Sequence, residues 1–178
     1  MQARLRTLRE AAERGIPLFV AVAPTYPDLD DNDICNVLEA IKPLNPLTIF
    51  HEPINIRAEN VARIATHARE LGVSVKTDVF DDGTAWRNYA VEQLMTVQRI
   101  ATELGMAEHL HLWPDKKLKA KAPFFEARRE AYLKANPTVQ ETRHQKQLRR
   151  QADQTAYGNF LQWLAHWHNR VSEWPGKE

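Results

Sequence analysis

Apolar and polar residues alternate in blocks over the first 80 residues, and the blocks predict helices and strands in turn. Apolar residues recur at helical spacing in some blocks and form short continuous runs in others. The predicted helices span 3–15, 33–44 and 58–72, and the predicted strands span 16–24, 47–50 and 73–80. The run at 16–24 is apolar throughout, which is typical of a strand covered on both faces.

The pattern changes after Gly83. A helix is predicted over 84–105, a short further strand over 108–115, and mostly helix from Lys116 onward, with a break at 135–138. Helices and strands that alternate with short connections predict parallel βα units. We therefore predict an α/β fold in which residues 1–115 form part of a parallel (β/α) barrel. Residues 116–178 form a helical C-terminal extension. Three or four strands are too few to close a barrel, which needs eight. The sequence therefore predicts that these strands are the second part of a larger barrel.

The charge is distributed unevenly along the 178 residues, although the formal net charge is only +1. Residues 1–115 carry 11 Lys and Arg against 17 Asp and Glu, whereas residues 116–150 carry 11 against 3. The basic segment also contains Phe124, Phe125 and Tyr132. Cations interleaved with aromatic rings suit a nucleic-acid backbone and its bases, and they equally suit a solvated helix face with rings packed beneath it.

The cysteine content and the hydropathy narrow the class of protein. Cys35 is the single cysteine, which excludes an internal disulfide and a cluster ligated by several cysteines of this chain. We predict no metal site. No run reaches the roughly 18–20 apolar residues of a membrane span, so a soluble, cytoplasmic protein without a membrane partner is expected.

Polar side chains are concentrated where the predicted strands end. "HEPINIR" follows the strand at 47–50, and "APTYPDLDD" closes the strand at 16–24. In parallel α/β folds such ends converge on the ligand. Glu52 or His51 can accept a proton or hold a ribose hydroxyl, and Arg57 can hold a carboxylate or a phosphate through two hydrogen bonds. The Asn55 amide suits a polar edge of a ligand. The candidate site residues at these ends are Tyr26, Asp28, His51, Glu52, Asn55 and Arg57. The structural alternative is that Arg57 only forms an ion pair with Glu52 and binds no ligand.

Two quoted stretches give a family resemblance. "RLRTLREAAERGIPLFVAVAPTYPDLDDNDICNVLEAI" resembles the fourth helix, fifth strand and following loop of radical S-adenosylmethionine (SAM) proteins of the spore photoproduct lyase-like group, also called DNA repair photolyases. "LTIFHEPINIRAEN" is similar to their sixth strand and its exit loop. The resemblance covers roughly residues 3–80 and corresponds to the last strands of the family's barrel.

The resemblance implies a six-stranded partial barrel that holds SAM and a [4Fe–4S] cluster. It also implies lyase-like chemistry that begins with reductive cleavage of SAM to a 5′-deoxyadenosyl radical. By this resemblance Pro24 is a seventh candidate, because Pro24 and residues 52–57 fall where the fifth and sixth strands of the family contact SAM or substrate. Tyr26 and Asp28 are expected beside them. The defining Cys-x-x-x-Cys-x-x-Cys loop is absent from this chain, and Cys35 lies elsewhere.

Three hypotheses follow from these patterns. The first is the C-terminal part of a radical SAM lyase-like enzyme, inactive alone, whose exposed strand edge pairs with the missing N-terminal half or with a second copy. The second is a nucleic-acid-associated module that uses residues 116–150. The third is an independent small α/β enzyme with Glu52 as its catalytic carboxylate.

Overall fold

The computed structural model describes residues 2–55 and 58–170, and it gives no side-chain environment for 58–60. The described chain divides into two compact units, one within residues 1–114 and one within residues 115–178. In the first unit the helices are α1 (Gln2–Glu13), α2 (Asp31–Ile41), α3 (Ala58–Glu70) and α4 (Gly83–Glu103), and the strands are β1 (Phe19–Thr25), β2 (Thr48–Pro53) and β3 (Leu110–Leu112). The second unit contains α5 (Lys121–Ala135) and α6 (Arg143–Arg170).

The prediction of an α/β fold with parallel strands is confirmed. The three strands form one sheet in the order β1-β2-β3, and both neighbouring pairs are parallel. In the described sheet, β1 is therefore an edge strand that pairs only with β2. The predicted strand at 108–115 is present as β3, although it is only three residues long.

The predicted strand at 73–80 is wrong. Residues 73–77 are irregular and Asp78–Phe80 form a short 3₁₀ helix. The central strand β2 already has a neighbour on each side, so this segment has no place beside it in the sheet. Its backbone is held by another contact, because the amide N–H of Lys76 donates to both carboxylate oxygens of Asp28, at 3.1 and 2.9 Å.

The core of the first unit lies on one face of the sheet. Helix α4 packs on β2 and β3, and α2 packs on α4. In β2, Ile49, His51 and Pro53 are buried while the intervening residues are half-buried, which is the period-two pattern of a strand with one covered face.

The other face of the sheet is more accessible, which corrects the prediction that the strand at 16–24 is covered on both faces. Phe19 in β1 is 47% exposed, and Ala21 and Ala23 are also exposed. An aromatic group lies across this face, with the Phe50 ring centroid 6.2 Å from that of Phe19 and 5.7 Å from that of Trp113. The apolar run was misleading because hydrophobicity alone does not reveal whether a second layer is present.

Helix termini follow the local polar residues. Asp30 caps α2 and forms a capping box with Asp33, each side chain accepting from the other residue's backbone N–H. The sequence alone indicates Asp31 or Asp33 as this cap, whereas the observed cap is Asp30 because the helix already begins at Asp31. Asp82 caps α4 by accepting from the N–H groups of Thr84 and Ala85.

Candidate functional site

A cavity lies at the carboxyl ends of β1 and β2. The register explains its position, because Val22 pairs with His51 and Thr25 pairs with Pro53. Two residues of β1, Ala23 and Pro24, thus face one residue of β2, which is the definition of a β-bulge. A proline is tolerated there because β1 is an edge strand.

Helix α4 fixes both strand ends. The hydroxyl of Tyr89 donates to the carbonyl oxygen of Thr25 at 2.7 Å, and Trp86 Nε1 donates to the carbonyl oxygen of Ile54 at 3.0 Å. The two donors are three residues apart on α4 and so share one helical face. Burial raises the pKa of Tyr89 to about 12, so its hydroxyl keeps its proton and remains a donor at physiological pH. These residues position the site without lining it.

The cavity has a volume of about 530 Å³ and is lined by three segments. Such a volume is within the range of about 300–1,000 Å³ that is usual for small-molecule sites. The end of β1 contributes Pro24 and Tyr26, and the end of β2 contributes Glu52 and Asn55. Four of the seven candidate residues are therefore brought together around one space.

The third wall of the cavity comes from α3 and was missed by the sequence reasoning. Arg63 and His67 line the cavity together with Ile64. Their spacing of four residues puts Arg63 and His67 on the same face of the helix. His67 Nδ1 lies 2.9 Å from the carboxylate of Glu70, three residues further along α3. The available signal was a strand end followed directly by a helix with Arg and His four residues apart.

His51 does not line the cavity. Side chains alternate along β2, so His51 lies on the buried face while Glu52 lies on the other. His51 is 0% exposed and its Nδ1 is 2.9 Å from the Val22 carbonyl oxygen, which makes Nδ1 the protonated nitrogen. Burial lowers its pKa to about 4, partly opposed by this hydrogen bond. The geometry gives His51 a neutral, structural position in the core.

Asp28 and Arg57 complete the list of candidates. Asp28 is not among the cavity residues, and its carboxylate holds the backbone of Lys76, which joins the loop after β1 to the loop after α3. Arg57 lies outside the described residues. The structural alternative for this residue, an ion pair with Glu52, therefore stays a prediction.

The described residues do not fit an iron–sulfur cluster. They contain no group of three or more His, Cys, Asp or Glu side chains that could hold a metal ion. Cys35, on α2, is a single half-buried thiolate source, whereas a [4Fe–4S] cluster takes about four cysteine ligands.

Comparison with known proteins gives no relative. No family model, no curated protein and no solved structure matches the chain. Among the described helices, none combines the length and the apolar character that crossing a membrane requires.

Proposed function

We propose that this chain is the C-terminal part of a radical SAM lyase-like protein, and that the cavity at the ends of β1 and β2 contacts SAM or its reaction partner. One observation carries the proposal. Pro24, Tyr26, Glu52 and Asn55, which the family resemblance assigns to such contacts, line a single cavity at the ends of two adjacent parallel strands.

The lining supplies groups that suit the chemistry of SAM. The ligand carries ribose hydroxyls and an ammonium group, which donate, and a carboxylate, which accepts. The Glu52 carboxylate suits the hydroxyls or the ammonium, and the Arg63 guanidinium suits the carboxylate. Asn55 can both donate and accept toward the adenine edge. SAM, cleaved with an electron from a reduced cluster held by another chain, would supply the 5′-deoxyadenosyl radical, and the residues of this chain would only bind and orient SAM.

The partial barrel belongs to the same proposal. In the described sheet, β1 presents unpaired backbone N–H and C=O groups along one edge, which is a template for another strand. A cluster-bearing N-terminal half would add its strands beside β1. A second copy of this chain is the other partner that the edge admits.

Binding of SAM to the purified chain tests the proposal. We expect saturable binding by titration calorimetry, and we expect Glu52→Gln to weaken it about tenfold, because a neutral amide replaces the anionic acceptor. A factor of ten corresponds to about 1.4 kcal/mol of binding free energy.

Glu39→Gln is the matched control, because Glu39 is exposed on α2 and is not part of the cavity lining. This variant should bind SAM as the parent chain does. Absence of saturable binding, or equal weakening by both substitutions, would contradict the assignment of the cavity.

A further inference from the structure

The second unit contains a groove between α5 and α6 with an excess of positive charge. Its volume is about 530 Å³, and five of the residues that line it are cationic while two are acidic. The cations are Lys121, Arg129, Lys146, Arg149 and Arg150, and the acids are Glu141 and Asp153. This charge is concentrated at one groove of the basic segment.

The two acids are already neutralised by arginines. Arg149 makes a two-point contact with Glu141, with Nε–Oε1 at 2.8 Å and Nη2–Oε2 at 3.0 Å. Hydrogen bonding from Arg149 is the main cause that lowers the pKa of Glu141, so this acid remains an anion paired with its arginine. Asp153, which is 7% exposed, accepts from Arg128 Nε at 2.6 Å and lies 3.5 Å from Arg149 Nη1.

Four cations of the groove remain without such a partner. Lys121, Arg129, Lys146 and Arg150 are exposed, and none of them forms an ion pair with a carboxylate of the described residues. Along their helices, Lys121 and Arg129 are separated by about 12 Å and Lys146 and Arg150 by about 6 Å, at 1.5 Å per residue. Four unpaired cations on facing helices favour a ligand with several negative charges.

The aromatic rings of the groove are engaged within the unit, which bears on the kind of anion. The Arg149 guanidinium lies over Tyr132 at 5.0 Å from the ring centroid, and Lys121 Nζ lies over Phe125 at 5.9 Å. Phe124 and Phe160, which belong to the same unit but do not line the groove, stack on each other with centroids 5.2 Å apart. Since neighbouring side chains occupy these faces, base stacking on them is disfavoured, and recognition by charge remains.

We propose that the groove between α5 and α6 binds a compact polyphosphate group, as in inorganic tripolyphosphate or a nucleoside triphosphate. Arg129 and Arg150 supply two-point donors to phosphate oxygens, while Lys121 and Lys146 act as point charges. The acids Glu141 and Asp153 hold Arg149 in place beneath the ligand. This inference does not depend on the SAM cavity.

The test is a calorimetric titration of the full chain with inorganic tripolyphosphate and, separately, with ATP. Salt is set to about 0.15 M, where exposed charges more than about 8 Å apart are largely screened. We expect saturable binding of tripolyphosphate, and at least a tenfold loss of affinity in the double variant Lys146→Gln, Arg150→Gln. ATP binding equal to that of tripolyphosphate indicates recognition of the phosphates alone, and tighter ATP binding indicates that the nucleoside also contributes.

The double variant Lys134→Gln, Arg143→Gln is the matched control. It removes the same charge from exposed positions of α5 and α6 that do not line the groove, so it should change affinity less than twofold. Circular dichroism of both variants checks that the helices are retained. Equal losses in the two variants would reduce the groove to a diffuse field and overturn the proposal, as would the absence of saturable binding. A single-stranded oligonucleotide that binds and is not displaced by excess tripolyphosphate would also overturn it, in favour of nucleic acid.

Discussion

At the scale of single residues, four of the seven candidates at the strand ends line the cavity, but the sequence could not show which face of its strand each side chain occupies. Glu52 near the end of β2 and Asn55 after it both line the cavity, whereas His51, which precedes Glu52 in the sequence, faces the core. A sequence shows that residues alternate across a strand but does not show which face the helices cover. Arg63 and His67 were missed for a related reason, since their spacing puts them on one face of the helix but does not show that this face meets the strand ends.

The burial of His51 leads to a prediction about pH. Its pKa is lowered to about 4 in the folded chain, against about 6.5 when unfolded, so the unfolded state binds the proton more readily. The contribution of the neutral His51 to the free energy of unfolding is therefore fully present above about pH 6.5 and is lost as the pH decreases toward 4. The total loss is at most on the order of 3 kcal/mol, because one pKa unit corresponds to about 1.4 kcal/mol.

Denaturant unfolding of the parent chain and of His51→Asn at several pH values between 4 and 7 measures this effect. The asparagine amide can still donate to the Val22 carbonyl oxygen but does not titrate, so the variant should lose less stability on acidification. Identical slopes for the parent chain and His51→Asn would contradict the role of this imidazole.

At the scale of elements, periodicity predicted the long helices well and the strands less well. The helix predicted over 84–105 is α4, Gly83–Glu103, because Asp82 caps one end and a repeated apolar spacing runs through it. The segment 73–80 has the alternation of a strand and yet forms none. A helix satisfies its own backbone hydrogen bonds, whereas a strand requires a neighbour with a free edge, and the sequence does not show that β2 lacks one.

Helix α4 also provides a prediction at this scale. Tyr89→Phe removes the hydroxyl that donates to the Thr25 carbonyl oxygen, and we expect the free energy of unfolding to fall by about 1 kcal/mol. The loss stays moderate because the same oxygen also accepts from the N–H of Ile54 at 2.9 Å. Denaturant unfolding measures the change.

Tyr157→Phe is the comparison variant for this experiment. Its hydroxyl donates to the carbonyl oxygen of Lys119 at 2.9 Å in an exposed setting, where water can replace the lost donor. This variant should therefore lose less stability than Tyr89→Phe. A loss at Tyr89 no greater than that at Tyr157 would show that the buried hydroxyl does not hold the end of β1.

At the scale of the whole molecule, the sequence predicted the uneven charge and the small number of strands. It did not predict which contacts the charged side chains make. The basic segment 116–150 contains most of the groove in the second unit, while the acidic first part contains the sheet. The charge pattern could not reveal that Glu141 and Asp153 are paired or that Phe124 stacks on Phe160. Those contacts join residues distant in sequence.

We proposed that this chain contacts SAM while another half of the protein holds the cluster, and this gives a prediction for the purified chain. Anaerobic incubation with iron and sulfide should leave no [4Fe–4S] cluster, as judged by its visible absorption, because the chain has only one cysteine. Cys35→Ser should give the same spectrum as the parent chain, which separates adventitious iron from specific binding. A stable cluster that depends on Cys35 would contradict the proposal that cluster chemistry belongs to another half.

The two hydrogen bonds from α4 to the strand ends have a consequence for ligand entry. Trp86 and Tyr89 both belong to α4, so this one helix fixes the distance between the ends of β1 and β2 before a ligand binds at those ends. The ends of β1 and β2 are therefore preorganised for a ligand, and little binding free energy is spent on ordering them. Any adjustment to its size falls to the third wall, α3, and amide exchange should slow there on binding while α4 stays unchanged.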